Sequence, residues 1–158
     1  MRRPDDTDRG AQLGEAGAYL HSAGYELDGD DLSCIAEARR HAAAFLAVAG
    51  TVHGLPIPQR VYDLTALVVS ELVTNAHKYA PGPVHMELRI HAGSVEVSVC
   101  DRRPAVPAVR GADPGRIGQH GMEIIQAITE KLSTEQLEGG KRITARLSLG
   151  DDTPAVRG

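Results

Sequence analysis

Three polar side chains recur along one side of a strongly apolar segment, residues 59–80. Glu71, Asn75 and Lys78 stand at positions i, i+4 and i+7 of this segment, so a helix stacks them above one another. Apolar residues recur around this row, which predicts a helix that is buried over most of its circumference. A carboxylate and an amide on such a face are costly unless they meet polar or charged partners.

Two interpretations of this row remain open from the helix alone. In the first, Glu71 forms a satisfied salt bridge with Lys78 or with another base. In the second, the row is the floor of a pocket, where the Asn75 oxygen binds a hard cation such as Mg²⁺ and Glu71 serves as a base.

Two further features lie after this helix. Asp101 stands where an alternating stretch ends and a long loop opens, so it accepts a hydrogen bond from a ligand donor or simply initiates a turn. A glycine-rich segment, residues 111–122, then leads into a predicted helix. Glycines allow a ligand to approach the backbone, and helix-start N–H groups favour phosphate oxygens, although an ordinary loop has the same composition. The segment matches neither a P-loop nor the dinucleotide fingerprint.

The surrounding pattern predicts the elements that position these residues. They are a strand over 19–27, a helix from 32 stopped by Gly50, the helix 59–80, a hairpin of 84–91 with 95–100, a helix over 121–130, and a hairpin of 132–137 with 142–149 across Gly139-Gly140. Alternating strands have one apolar face, which helices must cover. The predicted fold is α+β, a two-layer α/β sandwich whose mixed, mostly antiparallel sheet is covered on one face by three helices.

The amino-acid composition narrows the range of possible functions. Seventeen basic and 21 acidic residues give a net charge of −4, and aromatics make up only 3 %, which argues against a nucleic-acid partner. No apolar run is long enough to span a membrane and no signal peptide is evident, so we expect a cytoplasmic protein. Cys34 and Cys100 are expected to be buried free thiols. The expected organisation is a disordered tail over 1–17, one domain over 18–149 and a second tail over 150–158.

Taken together and in this order, the three features are far more specific. Residues 71–80, Glu-Leu-Val-Thr-Asn-Ala-His-Lys-Tyr-Ala, resemble the N box of the Bergerat-fold ATP-binding superfamily of type II topoisomerases, heat-shock chaperones, histidine kinases and mismatch-repair ATPases. Asp101 corresponds to the Asp of its adenine box, and residues 118–122 to its second glycine box. The resemblance spans about residues 25–149. Residues 70–76 are most similar to the small anti-sigma-factor serine kinases.

This resemblance implies roles for individual residues. ATP would lie between the helix and a lid, with Asn75 coordinating a phosphate-bridging Mg²⁺ and Asp101 accepting a hydrogen bond from the adenine amino group. Glu71 would orient or deprotonate the attacking hydroxyl, and Lys78 would add positive charge near the phosphates. The remaining implied nucleotide contacts are Gly118, His120, Gly121 and Met122.

Two functions follow from the resemblance. The first is an ATP-dependent serine/threonine protein kinase of the anti-sigma type, which phosphorylates a hydroxyl of an antagonist protein and binds a sigma factor, with a homodimer left open. The second is a nucleotide-responsive binding module without phosphotransfer. The departures from the family pattern motivate the second: Asp101 is followed by Arg-Arg-Pro-Ala instead of by glycines, and Gln119 stands where a glycine is common.

Overall fold

The computed structural model describes residues 19–28, 33–79, 82–101 and 122–150, and those residues form an α+β fold. Five strands make one antiparallel sheet, and three helices pack against it, as predicted. In chain order the elements are β1 (His21–Leu27), α1 (Ser33–His53), α2 (Gln59–Tyr79), β2 (Val84–His91), β3 (Ser94–Asp101), α3 (residues 122–128), β4 (Lys131–Leu137) and β5 (Gly140–Ser148). The predicted tails lie outside the described residues, except for Gly150.

The strand order is β1-β2-β3-β5-β4, and every neighbouring pair is antiparallel. The sheet is therefore wholly antiparallel rather than mixed. Alternate side chains of its three central strands point to one face, which we call the inner face, and are buried there. They are Val84, Met86, Leu88, Ile90, Val95, Val97, Val99, Ile143, Ala145 and Leu147. Helices α1 and α2 pack on each other and against this face.

The end of α1 differs from the prediction that Gly50 stops the helix. The helix continues to His53 and ends at Gly54, whose φ of 64° is in the left-handed region that glycine tolerates. The Leu55 N–H donates to the Gly50 carbonyl at 3.0 Å, the pattern of a Schellman motif. Gly50 has a different role: a Cβ there would lie 3.2 Å from the Leu55 carbonyl oxygen and 3.3 Å from Ile57.

The short helix α3 is anchored by Ile125, which is fully buried, while Met122 and Ile128 pack on the core at partial exposure. Ala127 of the same helix is exposed. The predicted extension to residue 130 is wrong because the chain turns at Thr129. Its hydroxyl donates to the Ile125 carbonyl at 2.7 Å, and Lys131 already belongs to β4.

The last hairpin has a shorter turn than predicted. Gly140 is already paired with Leu137, so the turn residues are Glu138 and Gly139. Gly139 has a φ of 95°, which explains why a glycine is required there.

Candidate functional site

The buried side of α2 is narrower than the sequence predicted. Its buried residues all lie along one side of the helix, and they are Val61, Thr65, Val68, Val69, Leu72, Val73 and Ala76. The row of Glu71, Asn75 and Lys78 flanks this side. Glu71 and Asn75 are half-buried, Lys78 is exposed, and Leu67 beside them is 36 % exposed. The prediction of a helix buried over most of its circumference is therefore wrong, and the row borders the core instead of entering it.

The salt-bridge interpretation of this row is not supported. Among the residues that the structure describes, no ion pair includes Glu71 or Lys78, and the side chain of Asn75 makes no hydrogen bond. A half-buried carboxylate and a half-buried amide one turn apart thus keep their acceptor oxygens available. This arrangement suits the binding of a ligand better than the stabilisation of the fold.

Asp101 ends β3 on the inner face of the sheet. It follows Val97 and Val99 at two-residue spacing, so its side chain points to the side on which the helices pack. Asp101 is only 5 % exposed. A buried carboxylate needs hydrogen-bond donors around it. At a strand end next to the helical layer, Asp101 is well positioned to accept a hydrogen bond from a ligand.

The chain connection brings Asp101 and the end of α2 to the same end of the molecule. Residues 80–83 connect Tyr79 to Val84, and a connection of this length spans roughly 17 Å at most. Val84 is the register partner of Asp101, and opposite Cα atoms in an antiparallel pair lie about 4.5–5.5 Å apart. Asn75 lies one helical turn before Tyr79. Asn75 and Asp101 therefore lie toward the same end of the molecule.

Three residues of the predicted site, Gly118, His120 and Gly121, lie outside the described residues. Met122 is the first described residue of α3, where it packs on the core at partial exposure. In the described part of the chain, no group of three or more His, Cys, Asp or Glu side chains is arranged to hold a metal ion. Of the described residues, Asn75 is the one that the resemblance assigns to a metal ion.

A cavity of about 400 Å³ lies on the outer face of the sheet, which helices α1 and α2 do not cover, and Asp101 borders it as well. It is lined by Glu26, Pro83, His85, Cys100, Asp101, Leu137, Glu138, Gly139 and Gly140. Glu71 and Asn75 do not border it. The sequence had not singled out this cavity, because Cys100 was expected to be buried like Cys34; Cys34 is buried, but Cys100 is half-buried.

A charged cluster on the same outer face was also missed. Glu96 is 8 % exposed and accepts hydrogen bonds from Tyr19 at 2.8 Å and from Arg146 at 3.1 Å, while Arg89 lies 3.7 Å away. Burial, followed by the hydrogen bond to Glu96, raises the pKa of Tyr19 above its usual value. The register places Arg89 and Arg146 opposite Glu96 on the two adjacent strands, so the cluster stabilises the sheet.

Comparison with protein families identifies the class to which this fold and site belong. Residues 31–147, well over half of the chain, match the model of the histidine kinase-like ATPase domain. The chain belongs to this family, which has the Bergerat fold and includes the anti-sigma-factor serine kinases. Domains of this family bind ATP, usually with Mg²⁺.

The comparison with curated proteins found no significant match. Within the described residues, no helix is both long enough and apolar enough to cross a membrane.

Proposed function

We propose that this protein is an ATP-dependent protein kinase that transfers the γ-phosphate of ATP to a serine or threonine hydroxyl of an antagonist protein. One observation carries the proposal. Glu71 and Asn75 present acceptor oxygens one turn apart that bond no described residue, toward the end of the molecule where the buried Asp101 carboxylate faces the helical layer. Membership of the ATPase family supports the assignment of ATP to this site.

The donor set fits ATP and Mg²⁺. The Asn75 amide oxygen is a hard ligand suited to Mg²⁺, which prefers to combine one or two protein oxygens with phosphate oxygens and water. The Asp101 carboxylate accepts a hydrogen bond from the adenine amino group. Bound Mg²⁺ would supply charge neutralisation for the phosphates. Lys78, at the exposed end of the same row, adds positive charge near them.

Glu71 carries the chemical role in this proposal. A carboxylate near the reacting hydroxyl orients it and accepts its proton, which contributes about 10²–10⁴-fold to the rate of typical proton-transfer steps. None of the described residues forms an ion pair with Glu71, so none of them neutralises its carboxylate. Its half-buried position leaves room for a protein substrate to approach from solvent.

The anti-sigma type of kinase fits these features, with an antagonist protein as phosphate acceptor and a sigma factor as second partner. The similarity of residues 70–76 to those kinases supports it. Because such partners and ATP are found in the cytoplasm, the proposal includes a cytoplasmic location. The domain organisation proposed with it is a single catalytic domain over residues 18–149.

A second function is favoured by the sequence that follows Asp101. Arg-Arg-Pro-Ala replaces the glycines that usually follow this Asp in the family, and such a backbone has less conformational freedom. A module that binds nucleotide and responds to it without transferring phosphate would tolerate this change.

Single-turnover incubation separates the two functions. Protein in excess over γ-labelled ATP is incubated with Mg²⁺ and each candidate antagonist, and the label is followed in protein and nucleotide. The kinase proposal predicts a labelled antagonist, and no label on an antagonist whose acceptor hydroxyl is replaced by alanine. Bound ATP that stays intact with every antagonist contradicts phosphotransfer and favours the binding module.

A further inference from the structure

A row of five chemically active side chains crosses the outer face of the sheet, one from each strand. The register aligns Glu26 of β1 with His85 of β2, His85 with Cys100 of β3, Cys100 with Arg142 of β5, and Arg142 with Glu135 of β4. Side chains directly opposite one another in an antiparallel sheet have Cβ atoms about 4.5–5.5 Å apart. The thiol therefore lies between an imidazole and a guanidinium.

The contacts along the row anchor the two groups that flank the thiol. His85 Nδ1 lies 2.7 Å from Glu26 Oε2, and Arg142 Nη1 donates to Glu135 Oε1 at 3.0 Å. Interaction with Cys100, which the register places opposite Arg142, is the first cause that raises the pKa of Arg142. The register places this guanidinium on the strand next to the thiol, and the nucleophilic form of a cysteine is its thiolate.

The cavity on the outer face gives this thiol space for a ligand. Its volume of about 400 Å³ lies within the range of about 300–1,000 Å³ that is typical of small-molecule sites. Glu26, His85 and Cys100 line it from three adjacent strands, and the turn at Glu138 and Gly139 closes one side. The other cysteine, Cys34, is 2 % exposed and has no such access.

We propose that Cys100 is a modification site, at which a small thiol is attached as a mixed disulfide and is held in the outer-face cavity. The Cys100 thiolate attacks one sulfur of a low-molecular-weight disulfide. The S–S bond of that disulfide breaks as the new S–S bond to Cys100 forms. The other half leaves as a thiolate and takes up the proton that Cys100 lost, so no further oxidant is required.

The Cys100 thiol faces the opposite side of the sheet from the proposed ATP site, although Asp101 also borders the outer-face cavity. Cys100 and Asp101 are consecutive in β3, so their side chains lie on opposite faces of the sheet. The modification is therefore testable without nucleotide, and its failure leaves the kinase proposal untouched.

Labelling of the native full-length chain with the neutral reagent 2-hydroxyethyl disulfide tests the site. Intact mass and peptide mapping follow the adduct over time. We expect one adduct per chain on Cys100, the same rate in Cys34→Ala, and no adduct in Cys100→Ser. Labelling of Cys34 at an equal rate, or no labelling of native protein under conditions in which the unfolded chain takes two adducts, overturns the proposal.

The role of Arg142 is tested by the rate of the same reaction. Arg142→Gln should slow adduct formation several-fold because it removes the positive charge beside the sulfur, while Arg142→Lys should restore most of the rate. Arg40→Gln is the matched control, since Arg40 is exposed on α1. Thermal melting of each variant shows whether the fold is kept. An unchanged rate in a folded Arg142→Gln variant contradicts the assignment of Arg142 to the site.

Discussion

The first residue of β2, Val84, is paired in register with the last residue of β3, Asp101. This pairing connects the two halves of the candidate ATP site, because Val84 also follows α2 after a connection of only four residues, 80–83. The half-buried oxygens of α2 and the buried carboxylate of β3 thus reach the same end of the sheet. The predictions that follow separate their roles from those of the fold.

Glu71→Gln should affect chemistry far more than binding. Glutamine keeps the volume and the hydrogen-bonding capacity of Glu71 but accepts no proton, so phosphotransfer should fall by roughly 10²–10⁴ while ATP affinity stays within a few-fold. The melting temperature should hardly change, because Glu71 forms no ion pair with a described residue. Glu37→Gln, on α1, is the control. A strongly destabilised Glu71→Gln with normal specific activity would show that Glu71 is structural.

Asn75→Ala should weaken the binding of ATP only when Mg²⁺ is present. The substitution removes an oxygen proposed to coordinate the metal and leaves the other nucleotide contacts in place. ATP affinity is measured in Mg²⁺ and again in excess chelator, with melting curves for both proteins. An equal loss of affinity in both conditions would mean that Asn75 acts on the nucleotide or on the fold, and not through the metal.

Thr65→Val should stabilise the protein. Thr65 is 1 % exposed, and its hydroxyl makes no hydrogen bond with any residue that the structure describes. Valine has nearly the same shape, so the free energy of unfolding should rise by about 1 kcal/mol. Urea denaturation measures the change. Thr144→Val is the matched control and should destabilise, because Thr144 bonds the buried Ser98 at 2.9 Å. A loss of stability in Thr65→Val would reveal a role for the hydroxyl.

The free energy of unfolding should fall at alkaline pH because Tyr19 and Tyr25 lose their protons. Burial is the largest cause that raises the pKa of each tyrosine in the folded state. The folded chain then holds these protons more tightly than the unfolded chain, so the stabilisation is complete below pH about 10 and is lost as pH rises through the raised pKa values. Urea titrations from about pH 8 to about pH 11 should show a steeper decline in the wild type than in Tyr19→Phe/Tyr25→Phe. Equal slopes in the wild type and the double variant would show that Tyr19 and Tyr25 do not cause the decline.

Local patterns in the sequence were sufficient to predict most of the fold. Alternation of apolar residues over 84–91 and 95–100 predicted β2 and β3, because one face of each strand is buried in the core. The end of α1 was missed because Gly50 and Gly54 look alike in sequence. Only the structure shows that Gly50 allows close packing while Gly54 adopts a positive φ.

Less of the candidate site than of the fold could be predicted from the sequence. The spacing of Glu71 and Asn75 predicted that they share a face, but it did not show whether that face lies in the core or at its border. The cluster around Glu96 and the row through Cys100 depend on which strands are neighbours, and residues far apart in sequence meet there. Alternation showed only that these side chains share the polar face; the strand order β1-β2-β3-β5-β4 brings them together.

The most direct test of the central claim is calorimetric titration of Mg²⁺–ATP into three proteins: the wild type, Asp101→Asn and Asp63→Asn. Asp63 is exposed on α2 and bonds Gln59, so its variant is a control for the loss of one carboxylate. We expect the wild type and Asp63→Asn to bind Mg²⁺–ATP equally. Asp101→Asn should lose about 1.5–3 kcal/mol, or roughly 10- to 150-fold in affinity, and should remain folded. Equal affinity of Asp101→Asn and the wild type would contradict the role of Asp101 in ATP binding. No binding by the wild type at millimolar ATP would contradict the ATP site itself.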